Sequence, residues 1–200
     1  MDFEIQSQLV PQGVSIIAGL DEAGRGPLFG NVYAASVILP DGYIPEGLDD
    51  SKKLTEKKRE KLYDIIIENA VSYGIGFCTP EEIDEINILN AAMLAMKRAV
   101  DNMEIKPQFL LVDGNTLRGF EQPAAAVVGG DRKIPAIAAA SILAKVTRDR
   151  YCMEMDKVYP EYGLAGHKGY PTKAHYDAIL QHGITPLHRK SFLKKLHGSI

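Results

Sequence analysis

Three short apolar runs in this sequence each end in acidic residues, and these acids are the side chains best suited to chemistry. They are Asp21, Glu22, Asp113 and Asp131. Carboxylate oxygens suit Mg²⁺ or Mn²⁺ better than zinc, which prefers histidine and cysteine. Two such ions about 3.5 to 4 Å apart clamp the attacking and leaving oxygens of a phosphodiester. The pattern therefore predicts a carboxylate site for divalent metal ions and phosphoryl chemistry.

Each acid also has a purely structural explanation. Asp21 could cap a turn, Asp113 precedes a glycine as in many turns, and Asp131 could cap the next helix or pair with Arg132. Three apolar runs that end in the same way favour a shared functional site over three separate coincidences. The functional interpretation is the one that we carry forward.

Glu22 is the least secure member of the set. Neighbouring side chains on a regular strand point to opposite faces of the sheet. Asp21 and Glu22 can therefore serve one site only if the strand breaks between them, and the following Ala23-Gly24 makes such a break plausible.

The elements that must position these acids alternate between strands and helices. Apolar runs rich in β-branched residues predict strands, the first two of which form a hairpin, and a crossover helix makes the fourth strand parallel to its neighbour. Capping residues and apolar periodicity predict the helices, the second with a break at Asn87 or Asn90. The strands are 16–22, 31–39, 71–79, 109–112 and 124–128; the helices are 55–69, 80–100, 135–159, 172–182 and 186–192.

Composition narrows the class of protein. The chain has 200 residues, no apolar run of about 18 residues and no secretory pattern at residues 1–4, which predicts a cytoplasmic protein without a membrane partner. Cys78 and Cys152 are isolated and are expected to be buried as small apolar side chains. Residues 157–200 hold seven basic and two acidic side chains, a net +5, which leaves −8 for residues 1–156. This segment is either a surface for a polyanion or a solvated tail.

Five basic side chains, two of them in this segment, are candidates for phosphate contacts. They are Lys52, Lys53, Lys145, His188 and Arg189. The five histidines, at 167, 175, 182, 188 and 197, show no metal-binding spacing and are expected at the surface or on phosphates.

The stretch Asp21-Glu22-Ala23-Gly24-Arg25-Gly26-Pro27-Leu28 closely resembles the ribonuclease HII family, the bacterial type 2 ribonucleases H. The resemblance continues in order over nearly the whole chain, through 50–54, 83–89, 112–114, 130–131, 137–149 and 167–172. It departs from the family pattern at Gly129, where lysine is expected, and at Asn31, where proline is expected.

The resemblance implies an α/β protein with a ribonuclease H-like fold. Such a fold has a five-stranded mixed sheet flanked by helices, here a catalytic domain at 1–159, and a small helical C-terminal part at 160–200 that packs on it and binds substrate. The family's four metal-binding catalytic acids fall on Asp21, Glu22, Asp113 and Asp131. Its motif for the ribose 2′-hydroxyl falls on Gly24, Arg25 and Gly26, and its sugar-stacking tyrosine falls on Tyr170.

The expected activity is an endoribonuclease that uses Mg²⁺ or Mn²⁺ on RNA-DNA hybrids and on single ribonucleotides in duplex DNA. The alternatives are a hybrid-binding module without catalysis, and another two-metal enzyme of the same fold, such as a resolvase or an exonuclease. No clamp-binding motif is recognised at 197–200, so a monomer is expected, and a clamp or polymerase partner stays open.

Overall fold

The computed structural model describes residue 1 and residues 3–194, so the predictions for His197 and for 197–200 lie outside the described residues. The chain forms five strands, β1 to β5, and six α-helices, α1 to α6, within that range. The strands are Ile17–Ala23, Val32–Ile38, Ser72–Cys78, Phe109–Asp113 and Ala124–Val127; the helices are Glu4–Leu9, Glu56–Asn69, Pro80–Asp101, Pro135–Val158, Leu164–His167 and Lys173–His182. No helix among the described residues is both long and apolar enough to cross a membrane.

The five strands make one mixed sheet in the order β3-β2-β1-β4-β5. β1 pairs antiparallel with β2 and parallel with β4, and β5 is parallel to β4. The predicted hairpin, the parallel fourth strand and the five-stranded mixed sheet are thus confirmed. β1 lies at the centre, so the end of β1 reaches the middle of one sheet edge.

Helix α3 covers one face of the sheet, and helices α2 and α4 cover the other. Ala18 and Leu20 of β1 pack in the core cluster under α3, whereas the alternate residue Gly19 faces α4. A Cβ at Gly19 would lie 2.2 Å from the backbone carbon of Ala136 and the backbone nitrogen of Ile137. The missing side chain therefore lets the alanine-rich start of α4 lie directly on β1.

Helix ends follow the sequence signals. Thr55 accepts a hydrogen bond from the Lys58 amide at the start of α2, and Thr79 forms a reciprocal capping box with Glu82 at the start of α3. Asn87 adopts φ 66° inside α3, and its side-chain oxygen accepts from the amides of Leu89 and Asn90. Asn87 is thus the residue that restarts the helix.

Three regions differ from the predictions. The N-terminal helix α1 was not expected; it has six residues, no side-chain cap and no buried residue. Residues 160–171, which lie between two predicted helices and were assigned to neither, contain the 3₁₀ turn Pro160–Tyr162 and the helix α5. The predicted helix at 186–192 is only a 3₁₀ turn, Lys190–Phe192, because the backbone before it bonds to the loop after β1 instead.

The segment from residue 160 onward packs on that loop. Leu28 and Phe29 form an apolar cluster with Tyr162, Leu164 and Ile179. The Leu28 amide donates to the Gly169 carbonyl at 2.8 Å, and the Arg189 amide donates to the Leu28 carbonyl at 2.8 Å. The chain after residue 160 therefore holds the loop between β1 and β2.

We expect Gly19→Ala to lower the free energy of unfolding by about 3 kcal/mol, the upper range for overpacking a core. The new methyl group would meet the backbone of α4 rather than a side chain that could move aside. Gly166→Ala is the matched control, since a Cβ there meets nothing within 4 Å. Urea unfolding of both variants measures the difference, and equal stabilities would contradict this account of the contact between α4 and β1.

Candidate active site

Asp21 and Asp113 lie side by side because β1 and β4 are parallel. Leu20 is paired with Val112 in the register of these strands, so the next residue of each strand is an acid. Both acids share the α4 face, since Asp21 alternates with Gly19 and Asp113 alternates with Leu111. The structure therefore brings together two of the acids that the sequence singles out.

Asp131 reaches the same region from the turn after β5. Gly129 has φ 64° and opens the 3₁₀ turn Gly130–Arg132, in which Asp131 is 3% exposed. The Gly130 amide donates to Asp113 Oδ1 at 2.7 Å, which ties the turn to the end of β4. Asp131 thus adjoins Asp113, but it lies in a 3₁₀ turn and not at the end of a strand.

Glu22 faces the same cleft as Asp21, but the strand does not break between them. β1 continues to Ala23, paired with β2 as far as Tyr33, while its pairing with β4 ends at Leu20. The Glu22 amide donates to Asp21 Oδ1 at 2.7 Å. The predicted break is wrong: Glu22 reaches the cleft because β4 ends first and leaves the edge of β1 open.

The cleft encloses about 210 Å³ and contains most of the predicted site residues. Its lining includes three of the acids together with residues of the glycine-rich loop, two lysines and one tyrosine. These residues are Asp21, Glu22, Asp113, Gly24, Arg25, Lys52, Lys145 and Tyr170, with Ser51 and Ser141 beside them.

The carboxylates of the cleft repel one another. Burial, followed by the charges of Glu22 and Asp113, raises the pKa of Asp21 well above its ordinary value. Burial also raises the pKa values of Glu22 and Asp113. Holding these groups ionised at neutral pH costs stability, because the folded state then keeps like charges together out of water.

Two side-chain cations offset part of this charge. Lys52 Nζ lies 3.3 Å from Asp131 Oδ2; burial lowers the pKa of Lys52, but the charge and hydrogen bond of Asp131 outweigh it and raise the pKa overall. Arg25 Nη1 lies 3.2 Å from Glu22 Oε1. Arg25 is therefore the counter-ion of Glu22 in this structure, and 52% of its side chain is exposed.

The donor set matches a hard divalent cation in its chemistry. Oxygen donors alone converge on the cleft, and the ammonium group of Lys52 is attracted to Asp131, Asp50 and Asp21. Among the described residues, however, no three His, Cys, Asp or Glu side chains are arranged to hold one ion. Binding of a metal ion would thus require the carboxylates to turn toward it.

Tyr170 and the glycine-rich loop form one rim of the cleft. Tyr170 is 40% exposed. A Cβ added to Gly26 would lie 3.6 Å from the Tyr170 ring. Gly24 has φ +98°, and a Cβ there would lie 2.2 Å from Arg148 Nε. The loop can therefore lie this close to Arg148 only with glycine at position 24.

His188 and Arg189 correct the sequence-based prediction. They were expected to contact phosphates, but they are 1% and 0% exposed. His188 bonds to His175 and Thr185, and the Arg189 guanidinium bonds to backbone carbonyls. Both side chains are therefore enclosed by the protein and are not available for a phosphate. His175 was expected at the surface or on a phosphate, but it is buried, with 0% of its surface exposed.

The predicted lysines remain near solvent. Lys145 lines the cleft and pairs with Asp149 at 2.6 Å, and the Lys52 side chain is 75% exposed. Lys53 does not line the cleft; its ammonium group lies 3.3 Å from Asp49 Oδ1.

Cys78 and Cys152 are both fully buried, as predicted.

Three residues near the cleft were not singled out as site residues. Asp50 is 2% exposed and accepts from the Lys52 amide at 2.9 Å and from Arg132 Nε at 3.1 Å. Ser141 Oγ is 3.0 Å from Ser51 Oγ and lowers the pKa of Asp21 by a hydrogen bond. All of them lie in stretches that carried the family resemblance, which was the signal available to find them.

Comparison with solved structures defines the class of protein. Ribonuclease H2 from Pyrococcus horikoshii OT3 superposes with a TM-score of 0.73 at 31% identity, over 88% of this chain and 93% of that chain. The ribonuclease HII of Archaeoglobus fulgidus, solved in complex with PCNA, gives a TM-score of 0.68 at 24% identity, over 90% and 94%. The chain is an α/β protein of the ribonuclease H-like fold.

The family follows from the sequence comparisons. The family model described as ribonuclease HII matches residues 18–195. Ribonuclease HII from Vibrio vulnificus (strain YJ016) is 54% identical over 190 residues, which cover 94% of this chain and 92% of that protein. The chain belongs to the ribonuclease HII family, whose members are hydrolytic endonucleases that cleave RNA in RNA-DNA hybrids.

We expect Asp21→Asn to raise the Tm by about 3 °C in metal-free buffer at pH 7, the shift that about 1 kcal/mol produces in a chain of this length. Asparagine keeps the oxygen that accepts from the Glu22 amide and removes one of the repelling charges. Calorimetry measures the shift, with the exposed Asp41→Asn as the control that should leave the Tm unchanged. An unchanged or lower Tm for Asp21→Asn would mean that repulsion in the cleft is not a net cost.

Proposed function

We propose that this protein removes single ribonucleotides embedded in duplex DNA, in addition to cleaving hybrids, and so repairs misincorporation. One observation carries the proposal: the acids and the two elements that face the sugar, Gly24–Gly26 and Tyr170, line or adjoin one cleft. A substrate sugar at the rim would therefore place its own phosphate at the carboxylates.

The carboxylates would hold the catalytic cations. Asp21, Glu22 and Asp113 line the cleft, and Asp131 adjoins Asp113 and accepts a hydrogen bond from the Lys52 ammonium group. Two Mg²⁺ or Mn²⁺ ions bound there would activate water for in-line hydrolysis 5′ of the ribonucleotide, leaving a 5′-phosphate and a 3′-hydroxyl. The acids themselves contribute the negative charge that keeps such ions in place, and their oxygen-only chemistry favours these metals.

The loop and Tyr170 would divide the recognition of the sugar. Only the 2′-hydroxyl distinguishes one embedded ribonucleotide from its neighbours, so donors and acceptors must approach it closely. Gly24 and Gly26 present backbone without side chains at the rim, and half-exposed Arg25 lies between them. The exposed ring of Tyr170 is a flat surface on which the adjoining deoxyribose would stack.

Basic residues would then hold the phosphodiester backbone. Lys52 and Lys145 are the two lysines that line the cleft, and each is paired with an acid in this structure. We assign residues 160–194 to substrate binding and residues 1–159 to catalysis, because the later segment supplies Tyr170 and holds the recognition loop. We further propose that the protein is a cytoplasmic monomer.

The decisive assay offers three duplexes of equal length to the enzyme with Mg²⁺ or Mn²⁺: one with a single ribonucleotide, one RNA-DNA hybrid and one of DNA only. We expect cleavage of the first two alone. Asp113→Asn should reduce cleavage by about 10³-fold or more while hybrid binding persists and the Tm is not lowered, because asparagine keeps the oxygen that accepts from Gly130. Normal activity in that variant would remove Asp113 from the site, and cleavage of the hybrid alone would refute single-ribonucleotide removal.

Tyr170 can be tested by the ratio of kcat/KM for the single ribonucleotide to kcat/KM for the hybrid. Tyr170→Ala should lower this ratio by about tenfold, because the stacking surface for the deoxyribose is lost. Tyr170→Phe keeps the ring and should retain the ratio. An alanine variant with an unaltered ratio would count against a role of the ring at the junction.

A further inference from the structure

Two consecutive buried residues, His188 and Arg189, connect to the two elements that face the sugar. The Arg189 guanidinium donates to the carbonyls of Gly24 at 2.7 Å, Pro27 at 2.9 Å and Arg25 at 3.2 Å, and its Nε donates to Gly30 at 2.8 Å. One side chain therefore fixes the direction of four peptide groups in the loop between β1 and β2.

His188 connects to Tyr170 through a second histidine. The Thr185 amide donates to His188 Nδ1 at 3.0 Å, and His188 Nε2 lies 3.2 Å from His175 Nε2. His175 Nδ1 lies 3.0 Å from the Tyr170 carbonyl oxygen, which also accepts from the Thr172 amide at 2.8 Å. A continuous chain of hydrogen bonds thus runs from Thr185 to the backbone of Tyr170.

The direction of this chain follows from its first bond. Because His188 Nδ1 accepts from an amide, the proton of neutral His188 must be on Nε2, which donates to His175 Nε2. His175 must then carry its own proton on Nδ1, where it donates to the Tyr170 carbonyl. Each link has one donor and one acceptor only if both rings are neutral.

The surroundings keep both rings neutral. Burial, opposed in part by backbone hydrogen bonds, lowers the pKa of each histidine to about 4. His167 stacks on His175 with ring centroids 4.5 Å apart, and Phe29 and Tyr162 pack edge-on or tilted against His188.

We propose that His188 and Arg189 form a positioning unit that sets the geometry of both sugar-facing elements, Arg189 through the 24–30 loop and His188 through His175 and Tyr170. The inference rests on the proposed roles of the loop and Tyr170 in reading the sugar. Its specific content is that the hydrogen bond to the Tyr170 carbonyl, and not only the bulk of the rings, determines the preference for a single ribonucleotide.

The matched pair His175→Asn and His175→Leu isolates that bond. The two new side chains have nearly the same shape, and both leave His188 Nε2 without its acceptor, but only asparagine can donate from the position of Nδ1. We expect the asparagine variant to keep the ratio of single-ribonucleotide to hybrid kcat/KM within about twofold. The leucine variant should lose about fivefold or more of this ratio, the effect of about one hydrogen bond, with hybrid cleavage little changed. Exposed His182→Leu is the control.

Equal ratios in folded asparagine and leucine variants would overturn the positioning role. A second measurement does not depend on activity or on the folding of a variant: long-range ¹H–¹⁵N spectra of ¹⁵N-histidine protein at pH 7. We expect His175 as the Nδ1–H tautomer and His188 as the Nε2–H tautomer; the opposite tautomers or a charged ring would overturn the relay. If the wild-type enzyme does not cleave the duplex with a single ribonucleotide, the proposed function fails, while the tautomers still decide whether the relay exists.

Discussion

Mutual repulsion of carboxylates at the centre of a sheet edge is the constraint on which this structure depends. Asp21 and Asp113 are forced together by the parallel register of β1 and β4, which is fixed by apolar pairs such as Leu20 and Val112 deep in the core. The strands cannot separate the acids without exposing that core. Hydrophobic burial therefore holds charges where electrostatics alone would not leave them, and the repulsion becomes attraction for cations.

The sequence reveals most of the elements and the convergence of the main acids, for a physical reason. Long periodic segments and caps such as Thr55 and Thr79 act locally, so they can be recognised in isolation. The ends of parallel strands share an edge, so Asp21 and Asp113 could be brought together on paper. The placement of Glu22 could not be predicted correctly, because it depends on where each partner strand stops: β1 pairs with β4 only as far as Leu20, three residues before its pairing with β2 ends at Ala23.

Burial of basic residues was the other feature that could not be deduced. Arginine and histidine near the end of a basic segment are usually solvated, and the prediction for His188 and Arg189 followed that rule. Their actual partners are carbonyls and rings in distant parts of the chain, such as Gly24 and Tyr170 through His175. A buried cation can be recognised from sequence only when its partners are known, and here they are backbone groups without a sequence signature.

The link between Arg189 and Gly24 joins residues 165 positions apart, and this separation has a consequence for synthesis on the ribosome. At about 5 to 20 residues per second, roughly 8 to 33 s pass between the emergence of the glycine-rich loop and the emergence of the side chain that orients it. During that interval strands β1 and β4, which carry Asp21 and Asp113, can already be paired. If the loop reads the sugar as proposed, a nascent chain would acquire its carboxylates well before it could select a sugar.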